Sequence, residues 1–287
     1  MKKALVLWIG LWFAACSSGP KVSVETETTV YNVDFLKGID SVTVRKHLRT
    51  LSHDMMEGRG TGTDGEKRAV NYISEQFKAA GLTPGGKDGS WFQEVPLLGS
   101  TPSVVKPLTF SGANGTFSGD FGTGFTASTD LAAESVKTNA ELVFVGYGIV
   151  APGSNWDDYK GLDVRGKIVV SFVNDPPPTD NEPTRFKGDT LTYFGRWTYK
   201  QEQARRKGAK GILLIHTTPT ASYPFAVVGN GAAREQIQFA TPPANPLELK
   251  SWISQEMAEK LAVASGSTLE EWFVEAADRN FKPRVLP

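Results

Sequence analysis

GRGTGTDGEKRAVNYISEQFKAAGL, residues 58–82, reads either as a phosphate-binding glycine loop or as the start of an amphipathic helix, and the two readings lead to different folds. Gly60, Gly62 and Gly65 satisfy the G-x-G-x-x-G spacing that can set backbone N–H groups and the positive end of a helix against a pyrophosphate. That mechanism needs a buried strand running into the loop. The preceding residues, SVTVRKHLRTLSHDMME, instead place Val44, Leu48, Leu51 and Met55 at helical intervals. The other phosphate loop, G-x-x-x-x-G-K-[ST], fails because Glu66 stands where its lysine belongs and would repel the anion; Lys67 is one place late. Thr63 followed by Glu66 reads as a capping box, in which each side chain satisfies an orphan N–H of the first turn. The helix that follows carries Val70, Ile73 and Phe77 on one face, keeps Glu66, Lys67, Glu75 and Lys78 on wet positions, and stops at Gly81.

Toward the N-terminus, MKKALVLWIGLWFAACSSGP gives Lys2 and Lys3 and then an apolar run, 4–15, too short to span a bilayer as a mature helix. It reads as a secretory signal, residues 1–15. FAAC, residues 13–16, resembles a bacterial lipobox, which implies cleavage before Cys16, lipidation of its thiol and acylation of the new amino group. Cys16 is the only cysteine, so no disulfide forms within the chain. Ser17, rather than an aspartate, follows it, and by resemblance to lipoprotein sorting this favours the outer membrane, facing the periplasm or the surface. SSGPKVSVETETT, residues 17–29, is polar with no helical stripe, and residues 16–40 are assigned as a lipid-anchored tether.

Charge narrows the partners. The whole chain carries 31 cations and 31 acids, and loss of the signal removes only Lys2 and Lys3, leaving a nearly neutral protein. No basic patch or aromatic-interleaved basic stripe is present, so nucleic acid is not an expected partner. At 40% hydrophobic residues the chain can bury one large or two modest cores.

After LTPGGKDGSW, a turn-rich break, FQEVPLL and VVKPLTF read as short strands with prolines at their edges. ELVFVGYGIV and KIVVSFV read as buried strands on either side of APGSNWDDYKGLDVRG. NDPPPTDNEPTRFKGDT, residues 174–190, is expected to be an exposed, mobile loop because its prolines and charges leave little to bury. GRWTYKQEQARRKG reads as a helix stopped by Gly208 and followed at once by a strand over 211–216. After ATPPANP come two helices, near 255–265 and 268–277, and a final strand-like FKPRVLP. The fold class is α/β (α+β).

Three stretches carry a family resemblance. HLRTLSHDMMEGRGTGTDGEKRAVNYISEQFKAAGLTPGG resembles the opening of bacterial secreted zinc aminopeptidases related to glutamate carboxypeptidase. NWDDYKGLDVRGKIVV, and the pairing of a helix with KGAKGILLIH, resemble the protease-associated (PA) domain inserted in many members of that family. The resemblance implies peptidase-type helices and first strands over 41–135, a PA domain over 136–245, and C-terminal helices over 246–287 leading towards a catalytic part. It also implies exopeptidase chemistry on peptides: two zinc ions sharing a bridging carboxylate activate a water, and a glutamate serves as general base.

The zinc signature, His-x-Asp, is not found. His47 is followed by Leu48 and Arg49, His53 by Asp54 and Met55, and His216 by Thr217 and Thr218. His53 and Asp54, being adjacent, diverge around a helix and are poorly placed to share one metal. Asp157 and Asp158 read as a turn that bonds the local backbone, Glu270 and Glu271 as favourable charges at a helix start, Arg59 as scaffold, and His216 as a packed or edge residue. No catalytic or metal-binding residue is assigned; Cys16, as the lipidation site, is the one site residue. The expected function is the N-terminal and PA-domain portion of a lipid-anchored zinc metallopeptidase, inactive by itself, whose two N-terminal helices expose an apolar face awaiting a catalytic half. The alternative is a non-catalytic PA-domain lipoprotein that binds peptides or proteins.

Overall fold

The computed structural model describes residues 38–104 and 106–287; Cys16 and the signal lie outside them. The chain divides into two compact units, Met1–Thr83 and Pro84–Pro287.

In the first unit, helix α1 spans Ser41–Leu51, capped by the Asp40 carboxylate, which accepts the N–H groups of Val42 and Thr43 at 2.9 and 2.8 Å. The stripe that reaches Met55 in the sequence is not one helix. A 3-10 segment, Asp54–Arg59, follows, and the positive φ of Glu57 (47°) and Gly58 (70°) turns the chain back. Helix α2, Asp64–Ala79, starts as the sequence suggests: Thr63 Oγ1 accepts the Glu66 N–H at 3.4 Å, while Glu66 Oε2 accepts from Gly62 N–H at 2.5 Å rather than from Thr63. It ends with Gly81 at φ 78°, where Gly81 N–H bonds Lys78 O and Leu82 N–H bonds Phe77 O. The buried side of α2 is made of small residues, Gly65, Ala69 and Ser74. A Cβ on Gly65 would lie 2.2 Å from Met56 O, so this glycine serves close packing of the helix start on the 3-10 segment. Leu48, Val70 and Ile73 are exposed apolar side chains of α1 and α2.

The second unit begins with β1 (Leu97–Ser100), β2 (Leu108–Gly112) and β3 (Gly115–Gly119). Next come β4 (Leu142–Phe144), β5 (Val150–Ala151), β6 (Trp156–Asp157), β7 (Ile168–Phe172), α3 (Trp197–Arg206) and β8 (Gly211–Ile215). The remainder is α4 (Thr218–Ala221), α5 (Ala226–Gly231), β9 (Gln236–Phe239), β10 (Leu249–Ile253), α6 (Gln255–Ala264), α7 (Leu269–Ala276) and β11 (Arg284–Val285). The main sheet runs β10-β8-β7-β4-β11; its first four strands are parallel and β11 is antiparallel to β4. Helices and mixed sheets together place the chain in the α/β or α+β class. β1 and β9 form an antiparallel ribbon, β2 and β3 a hairpin.

Strand alternation divides the core. Phe144, Val170, Phe172, Leu213 and Ile215 join Leu261, Trp272 and Phe281 in one cluster, while Val143, Val169, Ile212 and Leu214 join Ala204 of α3 in another. Both faces are therefore apolar, which is why β7 and β8 read as continuous hydrophobic runs. Each such side chain, fully buried, contributes about 1.5–3 kcal/mol. The edge at β10 is covered, and the two-residue β11 forms the other. β11 lies beside β4, and Phe125 and Ser128 bridge antiparallel to Ile253 and Lys250 outside β10.

Several expectations change. The run 141–150 is two short strands, because Gly146 and Gly148 adopt φ of 55° and 62° and turn the chain after β4. Residues 249–253, not singled out in the sequence, form β10, which pairs with β8. A boundary between 245 and 246 thus crosses one sheet, and the span 41–135 crosses the division after Thr83. Residues 174–190 are not simply an exposed loop: Arg185 and Phe186 are buried against the core. Arg185 Nε donates to Pro177 O at 2.9 Å and Nη1 to Ala277 O at 3.0 Å, and its guanidinium lies 5.5 Å from the Trp156 ring centroid. Glu182 bonded to Arg279, Asn174 Nδ2 donating to Thr220 O and Asp175 accepting from Thr192 fasten the segment further.

Candidate functional site

The side chains singled out in the sequence occupy structural positions. His47 Nδ1 is 2.7 Å from Tyr72 Oη, and His53 caps the 3-10 segment by accepting the Met55 N–H at 3.2 Å. Arg59 donates to Leu51 O, holding the turn as scaffold. Asp157 Oδ1 accepts the Tyr159 N–H at 2.8 Å, and Asp158 accepts from Ile149 N–H at 2.9 Å and Trp156 Nε1 at 2.7 Å. Thr268 and Glu271 complete a capping box on α7, with Glu270 exposed beside it. His216, directly after β8, is buried among Tyr223, Phe225 and Trp252, and burial lowers its pKa. Among the described residues no group of three or more His, Cys, Asp or Glu is placed to hold a metal ion. They do not assemble a donor set for the two zinc ions that the resemblance implies.

The structure brings together a different set. Residues 126–130 run along β10, with Thr126 N–H on Trp252 O, Ser128 N–H on Lys250 O and Asp130 N–H on Leu247 O, each at 2.9 Å. This register lays the Asp130 carboxylate beside Lys250 of β10 and Arg205 in the last turn of α3. Arg205 donates to it through Nε at 2.6 Å and Nη2 at 2.8 Å; Lys250 Nζ is 2.8 Å away, and the Leu247 N–H adds a bond at 3.0 Å. Burial works to raise the Asp130 pKa, but these donors outweigh it and hold the carboxyl at about 2. The carboxylate is 5% exposed and the Arg205 and Lys250 side chains 18% and 16%, so the acid lies behind its two cations. In front of them is a cleft of about 440 Å³, rimmed by Pro96, Gln238, Phe239 and Pro243. With two cations to one anion, the cleft carries one excess positive charge. Asp130 stays ionised near neutral pH, so the pair of cations remains charged in front of it, with the Thr241 hydroxyl also lining the cleft.

A second buried polar pair has a structural role. Lys200 of α3 is fully buried, donates to Asn174 O at 2.9 Å and lies about 6 Å from the ring centroids of Tyr147 (6.0 Å) and Tyr199 (5.9 Å). Burial pushes its amine down and pushes the Asp158 carboxyl up, each opposed by the attraction of the other. Lys200 thereby fastens the chain leaving β7 to α3. The sequence concealed both sets. Asp130 and Leu247 are 117 positions apart, Asp130 and Arg205 are 75 apart, and no local pattern announces such meetings. Comparison with protein-family models, curated proteins and solved structures finds no match.

Proposed function

We propose that the chain is the N-terminal and PA-type portion of a secreted, lipid-anchored, zinc-dependent exopeptidase of aminopeptidase type, and that its share of the work is to hold peptide rather than to cut it. The observation that carries this reading is the cationic cleft at Asp130, Arg205 and Lys250, built wholly within the second unit and fitted for binding. The exposed apolar surface of α1 and α2 is consistent with helices that belong to a larger peptidase body. Zinc ligands, on this reading, come from outside the described residues, and Cys16 supplies the membrane anchor.

The test is to capture the native protein from its membranes with an antibody against the second unit and to assay hydrolysis of an aminoacyl p-nitroanilide. Hydrolysis that phenanthroline abolishes and zinc restores supports the proposal. A captured protein that binds peptides but releases no nitroaniline under any metal condition moves the reading to a non-catalytic peptide-binding lipoprotein, which the same cleft also favours.

A further inference from the structure

Resting on the peptide-holding reading above, we propose that the cleft at Asp130, Arg205 and Lys250 recognises a carboxylate on the peptide, with the adjoining chain laid against Phe239 and Pro243. Three observations converge. First, Asp130 engages two of the five guanidinium donors of Arg205 and one of the three donors of Lys250 Nζ, and among the described residues neither cation has a second acceptor. A carboxylate arriving in front of them can therefore accept from both without displacing Asp130. Second, the cations are held rigidly: one by the last turn of α3, the other by a strand paired on both sides, and both by a buried acid. Little side-chain entropy remains to be lost on binding. Third, the rim is mainly apolar and stiff, with Gln238 and Thr241 as its polar members. Phe239 is 71% exposed at the end of β9, and the following ATPPANP carries three prolines, two of them adjacent. An exposed aromatic beside a half-screened positive pair fits an amphipathic ligand, an acidic group with an apolar flank. It fits a simple inorganic anion less well. The cleft, about 440 Å³, also falls within the range of roughly 300–1,000 Å³ typical of small-ligand sites.

Two sources could present the carboxylate, the free C-terminus or an acidic side chain, and the experiment separates them. Fluorescein-labelled pentapeptides with apolar flanks are titrated with the purified full-length chain and followed by anisotropy. Three forms are compared: one with a free C-terminus and no acidic side chain, its C-terminal amide, and an amide with an internal glutamate. The free acid is expected to bind at least about ten-fold more tightly than the plain amide, and more weakly as salt rises. Recovery of binding by the internal glutamate assigns the site to side chains; no recovery assigns it to C-termini. Lys250→Met keeps the Arg205–Asp130 pair and is expected to weaken binding of the carboxylate peptide about ten-fold while leaving the amide unchanged. Should Lys250→Met also lower the melting temperature, Phe239→Ser, on an exposed side chain, carries the test through a several-fold loss with an unchanged melt. Equal binding of acid and plain amide overturns the carboxylate assignment while leaving peptide holding intact. Failure of all three peptides to bind overturns both.

Discussion

The Asp130 carboxylate joins α3, β10 and the segment beside it at one point, and its charge state should be readable in stability. Its folded pKa, about 2, lies below the ordinary 3.8, so its stabilisation is fully present above about pH 4 and is lost as pH falls through about 2. The shift corresponds to about 2 kcal/mol. Asp130→Asn is therefore expected to lower stability at pH 7 by at least about that amount, with the gap to the wild type narrowing steadily below pH 4. Urea unfolding at a series of pH values checks this, and a gap that stays constant down to pH 3 would contradict it. Gly65 offers a second residue-scale test. Alanine there drives a methyl group into Met56 O, so Gly65→Ala should destabilise the first unit by about 1–3 kcal/mol, seen as lost hydrogen-exchange protection over α2 with the second unit unchanged. Residues whose role is local were largely legible in the sequence: Thr63 caps α2 and Gly81 and Gly208 stop helices, whereas Glu66 reaches Gly62 instead of Thr63 and Glu271, read only as a helix-start charge, completes a capping box with Thr268. Asp130, Arg205 and Lys250 were not, because what makes them a site is a strand register between distant segments.

Among the elements, β7 and β8 were readable because each is an unbroken apolar run closed by turn residues, as a strand buried on both faces must be. β10 escaped notice since its LKSWI mixes a lysine and a serine into the apolar pattern; Lys250 turns out to face the buried acid, and the strand is held between β8 and residues 125–128. Segment 174–190 shows the opposite error, where composition suggested solvent and the bonds of Asn174, Asp175, Glu182 and Arg185 decide otherwise. Arg185→Ala removes the donors to Pro177 O and Ala277 O and leaves Glu182 to Arg279. Proteolysis within 174–190 is expected to accelerate at least several-fold in that variant, at protease levels that leave the wild type intact. Equal cleavage rates would show that Phe186, packed against Trp156 at 5.5 Å, together with Glu182–Arg279 and the Asn174 and Asp175 bonds, holds the segment without Arg185.

For the whole molecule, the sequence conveyed the α/β class and the two-helix front, but not the division after Thr83 or the inclusion of 246–287 in the main sheet. A boundary inferred from changing composition cannot see a parallel strand added from far along the chain. At this scale the lipobox makes its own prediction. Wild-type protein should partition into the detergent phase of a Triton X-114 separation, and Cys16→Ser should move it to the aqueous phase; a wild type that is already aqueous removes the anchor from the proposal. The late arrival of β11 beside β4 also constrains how the protein can be made. β4 waits for β11, some 140 residues later, and Leu286 belongs to the same core cluster as Phe144 and Phe172. A growing chain that has reached residue 280 still presents an unsealed edge and an unfinished core. Under the export route proposed above, the second unit would complete its sheet and core only after the last residues had emerged on the far side.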